Sequence, residues 1–445
     1  MATVDLLIYP RWIIPVEPTG AIYQQYALVI HSGRILDILP VAHAAARYQA
    51  KQTIELPAHA LIPGFINAHT HTPMSLLRGL ADDLSLRPWL QQHIWPIERR
   101  WMSPEFVRDG SELAIAEMLR GGTTCFNDMY FFPEITAEAV RNSGMRACIG
   151  MIVVDFPSAW GSGPQEYIAK GIALRDQYKD DPLLSFAFAP HAPYSVADNW
   201  FKEVRTLADE LDVPVQIHLH ETTGELENSL QQYGKRPLAR LAELGLLTPN
   251  LMAVHMTQLT HDEISALAGS GIHVVHCPES NLKLASGFCP VAKLLAAGIN
   301  VAIGTDSAAS NNDLDMLGEM RSAALLAKGV SGDAAALPAA DCLRMATLNG
   351  ARALGIDQET GSLLPGKWAD IAAVDMSEPE CQPLYNPLSQ LVYAASRGQI
   401  SDVWVAGQHL LRARELTRID LTDVLGRAQG WHDRLALPLA EVTQA

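Results

Sequence analysis

Eight short apolar runs, each followed by a longer stretch of helical period, fill the middle of this 445-residue chain. This alternation predicts parallel strands joined by helices, because consecutive parallel strands need a long crossover connection. Eight repeats fit a closed barrel better than an open doubly wound sheet, which normally begins with a glycine-rich turn for a nucleotide; the chain has no such turn. The runs span residues 60–68, 123–127, 145–154, 184–189, 213–218, 251–255, 273–277 and 301–304.

Both ends of the chain contain strand-like segments that lie outside this repeat, with Ser32-Gly33 typical of a hairpin turn. These segments span residues 5–9, 27–31, 34–39, 361–374, 402–405 and 409–411. A strand-rich start and a strand-rich end most simply pair into one small domain. We therefore predict an α/β fold: a (β/α)₈ TIM barrel formed by residues 58–364, with a small β-sandwich domain and C-terminal helix formed by residues 1–57 and 365–445.

Composition and charge narrow the class of partner. Apolar residues make up 48% of the chain and charged residues 18%, as in a globular protein. A formal charge of −16 argues against nucleic acid or an anionic membrane as the main partner, since both need a basic surface. The start of the chain lacks the basic residues of a signal peptide, and no apolar run approaches the ~20 residues of a membrane span. We predict a cytoplasmic protein that acts on a small molecule, and the sequence leaves homo-oligomerisation open.

Histidine or aspartate follows five of the predicted barrel strands, at the end that carries active sites in this architecture. Fifteen histidines in 445 residues will form single His-x-His pairs by chance, so His69 and His71 alone decide little. The two do share one face of an extended strand, and four further strands end in a similar way. These residues are His69 and His71 after strand 1, His191 after strand 4, His218, His220 and Glu221 after strand 5, His255 after strand 6 and Asp306 after strand 8. The coincidence favours a metal site.

Three imidazoles and one carboxylate suit a divalent transition metal, zinc first, although ferrous iron accepts the same ligands. Zinc in an open site lowers the pKa of a bound water to about 7 and so supplies hydroxide at neutral pH. Residues 186–191, at the end of strand 4, include neither Lys nor Glu to bridge a second ion. We therefore predict one Zn²⁺ per chain.

Three side chains at this rim suit acid–base chemistry. Glu221 lies three residues after His218 and is suited to shuttle a proton. His255 is suited to polarise a substituent of the attacked carbon or to hold the hydroxide, and Asp306 to pass the proton of water to a leaving group. His220 either shares the face of His218 or turns away past the strand end. We therefore place it behind the residues that contact the metal.

The same residues lie in motifs that resemble the amidohydrolase superfamily over nearly the whole chain. Glu221 after the third ligand and His255 on strand 6 are similar to the deaminase branch. Segment 276–287, HCPESNLKLASG, is typical of its methylthioadenosine/S-adenosylhomocysteine deaminases. The superfamily motifs are PGFINAHTH at 63–71, HLHET at 218–222, GTDS at 304–307 and PGKWAD at 365–370.

This resemblance implies specific roles for the candidate residues. Zinc would be bound by four of them: His69, His71, His218 and Asp306. Glu221 would protonate a purine ring nitrogen, and His255 would orient the attacking hydroxide. The residues implied to contact substrate are Trp89, which packs on it, Glu98, which holds the ribose hydroxyls, His191, which bonds the purine, and Glu221, Asp306 and Ser310.

One departure from the family concerns the amino-acid carboxylate of S-adenosylhomocysteine, which arginines after strand 3 are expected to hold. No Lys or Arg occurs between Arg146 and Lys170, and the loop at 155–163 reads DFPSAWGSG. An apolar loop suits a methylthio group, whereas a carboxylate would lack its bidentate partner. The sequence therefore predicts hydrolytic deamination of 5′-methylthioadenosine. The alternatives are S-adenosylhomocysteine or adenosine deaminase, another hydrolase of the superfamily (guanine or cytosine deaminase, triazine hydrolase), and a non-catalytic barrel.

Overall fold

The computed structural model describes residues 1–436 of the chain. The strands are β1 (Ala2–Ile13), β2 (Tyr23–Gln24), β3 (Tyr26–His31), β4 (Arg34–Pro40), β5 (Tyr48–Pro63), β6 (Phe65–Thr70), β7 (Thr123–Asp128), β8 (Arg146–Val153), β9 (Leu184–Pro190), β10 (Val215–Leu219), β11 (Leu251–His255), β12 (His273–His276), β13 (Asn300–Ile303), β14 (Ile371–Asp375), β15 (Ile400–Val405), β16 (Gln408–Arg412) and β17 (Glu415–Leu416).

The helices connect these strands and close the chain. They are α1 (Val41–Arg47), α2 (Leu86–Pro88), α3 (Trp95–Trp101), α4 (Pro104–Arg120), α5 (Pro133–Ser143), α6 (Pro164–Tyr178), α7 (Asp198–Leu211), α8 (Thr223–Tyr233), α9 (Pro237–Glu243), α10 (His261–Leu267), α11 (Pro278–Lys283), α12 (Val291–Ala296), α13 (Ala308–Asn311), α14 (Met316–Ser331), α15 (Ala339–Met345), α16 (Leu348–Ala353), α17 (Pro387–Tyr393) and α18 (Leu421–Leu435). Short 3₁₀ turns lie at Thr72–Leu77, Pro379–Cys381 and Arg397–Gln399, and a π-helical turn lies at Trp89–Ile94.

Strands β6 to β13 form a parallel barrel in chain order. The first and last strands meet at their carboxyl ends, where Thr70 and Asp306 form a parallel bridge. Helices cover the outside, so the strands are buried on both faces and read as continuous apolar runs instead of alternating ones. The predicted (β/α)₈ barrel is confirmed.

The strands from the two ends of the chain form a separate nine-stranded sheet. Its order is β17-β16-β15-β14-β5-β1-β3-β4, with β2 paired to β1. Strand β14 from the C-terminal part pairs antiparallel with β5 from the N-terminal part, and this pairing joins the two halves. Leu28, Leu61 and Trp404 belong to the apolar cluster that the sheet buries. The prediction that both termini build a second β structure is confirmed, and its hydrogen-bonded path is continuous.

The apolar run at 60–68 is divided between the two sheets. Its first part belongs to β5, where Ala60 pairs with Val374 of the terminal sheet, and its second part forms barrel strand β6. Gly64 lies between the two parts. Only glycine fits at this position, because a Cβ would lie 2.1 Å from the Thr124 side chain. By strand pairing the first barrel strand begins at Phe65, and the domain boundary at residue 58 stays a prediction. Both parts are buried, so hydropathy alone cannot show the junction.

The predicted C-terminal helix corresponds to α18, which packs on α4. The Trp431 indole ring lies edge-on to Phe106 with centroids 5.2 Å apart, and its Nε1 donates to Asp109 Oδ2 at 2.8 Å. The rest of the predicted helical stretch, 437–445, lies outside the described residues. Through residue 436, no helix is both long enough and apolar enough to cross a bilayer.

Candidate metal centre and active site

Four side chains converge at the carboxyl end of the barrel. One ligand atom from each of His69, His71, His218 and Asp306 lies within 4.8 Å of the others. The Nε2 atoms of His69 and His218 are 3.1 Å apart, and Asp306 Oδ1 is 3.2 Å from His71 Nε2. Three strands supply them, because β6, β10 and β13 all end at this rim. The structure thus brings together all four predicted metal ligands.

The second nitrogen of each clustered imidazole faces an oxygen acceptor. His69 Nδ1 lies 3.2 Å from Gln216 Oε1, His71 Nδ1 lies 2.5 Å from the Met129 carbonyl, and His218 Nδ1 lies 2.8 Å from the His191 carbonyl. A nitrogen that faces an acceptor favours the proton, so His69 and His218 are left with the Nε2 lone pair toward the common centre. His71 Nε2 lies beside Asp306 Oδ1, and this carboxylate outweighs burial and raises the pKa of His71. This donor set, three imidazoles and one carboxylate, fits a divalent transition metal.

Burial keeps several of these imidazoles neutral. It lowers the pKa of His69 to about 4 and that of His191 to about 3, and it lowers the pKa of His218 well below its usual range. The neighbouring imidazoles add to the effect for His218 and His191, because like charges so close together are unfavourable. Neutral imidazoles bind a cation without first losing a proton.

Close packing between β13 and β6 sets the position of Asp306. Its backbone nitrogen donates to the His69 carbonyl at 3.0 Å, and its carbonyl accepts from Thr70 Oγ1 at 3.0 Å. A Cβ at Gly304 would lie 2.8 Å from the His69 backbone nitrogen, so glycine allows the two chains to approach. The Gly-Thr-Asp sequence therefore aims Asp306 at the histidines of β6.

Two hydroxyl groups hold the second oxygen of Asp306. Ser280 Oγ donates to Oδ2 at 2.6 Å and Ser310 Oγ donates to it at 2.9 Å. Ser310 is buried and is not among the described residues that line the catalytic cavity. Ser310 lies where it can bond Asp306, because α13 begins directly after Ser307 and turns Ser310 back toward this carboxylate. Its contact with substrate stays a prediction.

Glu221 lies between β10 and α8 with its carboxyl group facing the cavity. Its Oε2 is 3.8 Å from His255 Nε2, and its Oε1 accepts from Ser286 Oγ at 3.4 Å. The backbone nitrogen of Glu221 donates to Glu225 Oε2 at 2.7 Å, which fixes the turn. Burial raises the pKa of the Glu221 carboxyl to about 8, and the charge of Asp306 adds to this. The group can therefore hold a proton at neutral pH.

His255 is the last residue of β11, and its ring lies next to the four clustered side chains. The ring stacks on His218 with centroids 5.5 Å apart, and Nδ1 lies 2.9 Å from Asn281 Oδ1. Its φ of 75° is a left-handed backbone conformation, which is uncommon for residues other than glycine. The amide oxygen of Asn281 fixes Nδ1 as the donor, which leaves Nε2 facing the cavity as an acceptor.

The His220 side chain points away from the four clustered side chains. Its Nε2 accepts from the backbone nitrogen of Leu238 at 3.0 Å, and its Nδ1 lies 4.0 Å from Glu263 Oε2. Its φ of 53° breaks the alternation of the strand after Leu219. The spacing of two from His218 therefore does not bring His220 to the same face, and the residue packs behind the strand end.

The segment at 276–287, marked in the sequence as a family motif, supplies one supporting contact to each functional group. Ser280 bonds Asp306, Asn281 bonds His255 and Ser286 bonds Glu221. Sequence reasoning missed these three residues, together with Gln216 behind His69. The HCPESNLKLASG motif marked this segment in the sequence. Which of its residues contacts which functional side chain follows only from the way the loop folds over the rim of the barrel.

The catalytic cavity has a volume of about 80 Å³. Besides His71, His218, His255, Glu221 and Asp306, it is lined by the predicted substrate contacts Trp89, Glu98 and His191, and by Tyr130, Tyr194 and Ser307. The segment after β6, which a barrel does not need for its core, forms the part of the cavity wall away from the four clustered side chains. Trp89 and Glu98 therefore line the same cavity as His71, His218 and Asp306, and their contact with a ligand stays a prediction.

Glu98 is held at that wall by a tyrosine. Tyr130 follows β7 and its hydroxyl donates to Glu98 Oε1 at 2.6 Å. Burial raises the pKa of the Glu98 carboxyl, and the Tyr130 hydroxyl opposes the rise. One carboxylate oxygen is thereby oriented by protein. Sequence reasoning missed Tyr130, since nothing in its local sequence distinguishes it from a core aromatic.

The sequence profile of the amidohydrolase family matches residues 60–410. The chain belongs to the amidohydrolase family. It is 51% identical over 433 residues to the 5-methylthioadenosine/S-adenosylhomocysteine deaminase of Teredinibacter turnerae, covering 97% of this chain and 98% of that protein. The deaminase of the same name from Saccharophagus degradans is 49% identical over 431 residues, with 97% of each chain covered.

Solved structures agree with this assignment. An adenosine deaminase from Xanthomonas campestris with bound zinc superimposes with a TM-score of 0.96 at 54% identity, covering 98% of this chain and 99% of that one. An atrazine chlorohydrolase from Arthrobacter aurescens superimposes with a TM-score of 0.89 at 22% identity, covering 96% and 99%. The second likeness concerns the fold alone, whereas the first agrees with an enzyme of the deaminase group.

Proposed function

We propose that this amidohydrolase hydrolytically deaminates an adenosine-type nucleoside, with 5′-methylthioadenosine as its preferred substrate and 5′-methylthioinosine and ammonia as products. The observation that supports the proposal most is the position of the buried Glu221 carboxyl, whose pKa is raised, beside the convergent His69, His71, His218 and Asp306. Deamination of a purine needs a proton donor for a ring nitrogen as well as an activated water. The relatives named above as deaminases agree with this reaction.

The four clustered residues are proposed to hold one divalent metal ion. We take the ion to be zinc, as in the Xanthomonas campestris structure, and ferrous iron would fit the same donors. When bound there, zinc would lower the pKa of a coordinated water to near neutrality. The hydroxyls of Ser280 and Ser310 keep Asp306 Oδ2 occupied, so that Oδ1 is the oxygen turned toward the imidazoles.

The proton movements are assigned to three side chains. Glu221 gives its proton to the purine ring nitrogen next to the amine-bearing carbon, and its high pKa keeps that proton available at neutral pH. His255 Nε2 accepts a hydrogen bond from the attacking oxygen, because Asn281 holds the ring proton on Nδ1. Asp306 accepts the proton that remains on the attacking oxygen and passes it to the departing ammonia, and the first proton of the water returns Glu221 to its protonated form.

The opposite wall is proposed to bind the sugar and base. Trp89 packs on the nucleoside, and Glu98 accepts hydrogen bonds from the two ribose hydroxyls. His191 lies between the metal cluster and the outer wall, with its ring 4.9 Å from that of His218 and Nδ1 3.0 Å from Ser195 Oγ. Its remaining nitrogen is available to the purine.

A test of the Glu98 assignment compares two substrates. Replacing Glu98 by Gln should lower kcat/KM for adenosine by about tenfold to hundredfold, the value of one or two hydrogen bonds to a charged group. The same variant should change kcat/KM for 2′,3′-dideoxyadenosine by less than about threefold, because that substrate lacks both hydroxyls. Steady-state rates of ammonia release give both values. Equal losses on the two substrates would remove the ribose contact from the assignment.

The preference for a methylthio group is argued from the loop after β8. Phe156, Pro157 and Ala159 line the side of the site that a 5′ substituent would reach. Arg99, which follows Glu98 on α3, is the one Lys or Arg among the described residues of that lining. It is solvent-exposed, and an exposed ion pair contributes only about 0–1 kcal/mol. A carboxylate would therefore gain little there in return for entering an apolar surface.

An ammonia-release panel tests the proposed reaction and this preference together. We expect 5′-methylthioadenosine and adenosine to be deaminated, with kcat/KM for 5′-methylthioadenosine about tenfold or more above that for S-adenosylhomocysteine. Guanine, cytosine and atrazine, which lack a ribose for Glu98, should be poorer by about tenfold to hundredfold or more. Equal kcat/KM for 5′-methylthioadenosine and S-adenosylhomocysteine would contradict the preference. Faster ammonia release from guanine, or faster chloride release from atrazine in a parallel assay, would contradict the reaction.

A further inference from the structure

The short helix that carries Glu98 has little packing of its own. None of the seven residues of α3, all within the described part of the chain, is fully buried. Trp101, three positions after Glu98, adds a partly buried ring to the apolar cluster beneath the helix. A helix of this length is unstable in isolation and depends on tertiary packing. The side chains that pack on α3 therefore decide where the Glu98 carboxyl group lies.

Trp431 of the C-terminal helix α18 makes such a contact. Its indole ring lies edge-on to Trp101 with centroids 6.1 Å apart, and edge-on to Phe106 of α4 with centroids 5.2 Å apart. Perpendicular aromatic pairs at these distances are favourable beyond the area that they bury. Trp431 is 2% exposed and belongs to the same apolar cluster as Trp89 and Tyr130. The C-terminal helix thus contributes to the packing behind the wall of the catalytic cavity.

Polar contacts fix the orientation of the Trp431 ring. Its Nε1 donates to Asp109 Oδ2 at 2.8 Å, and the guanidinium carbon of Arg434 lies 4.3 Å from the ring centroid. Asp109 is 4% exposed, and its other oxygen accepts from Arg427 Nη1 at 2.5 Å. A buried carboxylate holds its partners firmly, because the loss of a partner would leave its charge uncompensated. The indole ring is therefore held against α4 from more than one side.

The place of α18 in the chain does not suggest a part in the catalytic face. The helix follows the terminal sheet, at Leu421–Leu435, and lies beyond the residues 60–410 that the family profile matches. We propose that Trp431 is a positioning residue for the ribose contact: by packing on Trp101, it holds α3 where Glu98 faces the catalytic cavity. The inference rests on the proposed function, which assigns Glu98 to the ribose hydroxyls.

Two alanine variants remove this contact from either side. Trp431→Ala and Trp101→Ala should each lower kcat/KM for adenosine about tenfold, the value of one hydrogen bond to a charged group, and should do so mainly through KM. The value for 2′,3′-dideoxyadenosine should change by less than about threefold, because that substrate has no hydroxyl for Glu98. Metal content should equal that of the wild type. An unchanged ratio between the two substrates in Trp101→Ala, whose ring is only partly buried, overturns the inference even if Trp431→Ala folds poorly.

A double variant shows whether Trp431 acts through Glu98. Glu98→Gln already weakens the contact with the ribose, so adding Trp431→Ala to it should lower kcat/KM for adenosine by less than about threefold more. A further loss of about tenfold would mean that the two substitutions act independently. That result would overturn the inference.

Two controls separate the ring contact from a general loss of stability. Trp431→Phe keeps an aromatic ring and removes the donor to Asp109; it should retain the ratio of the two kcat/KM values within about threefold. Val424→Ala removes buried apolar volume from the same helix, at a position that is not among the described members of the apolar cluster around Trp431. Its Tm should fall while the ratio stays at the wild-type value. A loss in either control as large as that in Trp431→Ala overturns the inference.

Failure of the inference can be told apart from failure of the proposed function. If Glu98→Gln lowers kcat/KM for adenosine but neither tryptophan variant does, the ribose contact stands and Trp431 has no positioning role. If Glu98→Gln affects adenosine and 2′,3′-dideoxyadenosine equally, the ribose contact is wrong and the inference falls with it. If adenosine is inert in the enzyme with its metal bound, the proposed reaction itself is wrong.

Discussion

Replacing Glu221 by Gln should abolish turnover and leave the metal site intact. Gln has the same shape and still accepts the hydrogen bond from Ser286, but it cannot transfer a proton to the purine. Positioned acids and bases contribute about 10²–10⁴-fold, so kcat should fall by that factor or more. Glu221 is not one of the four clustered residues, so the metal content of the purified variant should equal that of the wild type. Ammonia release measures kcat, and elemental analysis measures the metal.

Two other variants control for indirect effects. Glu227→Gln removes a carboxylate from an exposed position on the same helix, α8, and should leave kcat unchanged. Ser286→Ala removes only the hydroxyl that lies 3.4 Å from Glu221 Oε1, and should give a smaller loss, about tenfold. Full activity in Glu221→Gln would show that the proton-transfer assignment is wrong, and joint loss of metal and activity would give Glu221 a structural role instead.

The four predicted metal ligands could be found from the sequence because each lies at the end of an apolar run that forms a barrel strand. His69 and His71 follow a long apolar run, and Asp306 follows another run more than 200 residues later. Parallel strands in a barrel end at the same rim, so the topology converts these distant positions into neighbours. This argument needs no side-chain geometry, and the structure brings the same four residues within 4.8 Å.

Residues that act through other residues could not be predicted in this way. Ser280, Asn281 and Ser286 contact Asp306, His255 and Glu221 only because one loop folds over the rim. Their hydroxyl and amide groups are common at any loop position, so composition does not mark them. Ser310, which the family resemblance implies as a substrate contact, is likewise turned toward Asp306 by the start of α13, and its hydroxyl donates to Oδ2.

Junctions between two buried layers were also invisible in the hydropathy of the chain. Residues 60–68 read as one strand, yet β5 pairs with β14 up to Pro63 and β6 begins at Phe65. The only local signal is Pro63-Gly64, which combines a residue without a backbone donor and one without a side chain. A proline and a glycine within an apolar run indicate a change of sheet only when the neighbouring strands are known.

Asp306→Ala should lose both the metal and the activity. The remaining three imidazoles would share a buried site without a negative charge, so the affinity for a divalent cation should fall steeply. We expect kcat/KM to fall on the order of 10³-fold or more, because the metal contributes several kcal/mol to the reaction. In the wild type, a chelator should remove activity and added Zn²⁺ should restore it. In Asp306→Ala, added Zn²⁺ at the same concentration should restore none.

Thermal stability gives a second readout that does not depend on turnover. A ligand that binds only the folded state at 100 times its Kd stabilises that state by about 2.7 kcal/mol, so Zn²⁺ should raise the Tm of the chelator-treated wild type but not that of Asp306→Ala.

Ser310→Ala, which keeps the carboxylate and removes one of its two hydroxyl partners, should bind Zn²⁺ about tenfold more weakly and recover activity at higher Zn²⁺. Asp333→Asn, at an exposed position, should behave as wild type. If Asp306→Ala retained one Zn²⁺ per chain with wild-type affinity, the carboxylate would not be a ligand. The proton transfers assigned to Asp306 would then need another way to reach the reacting water.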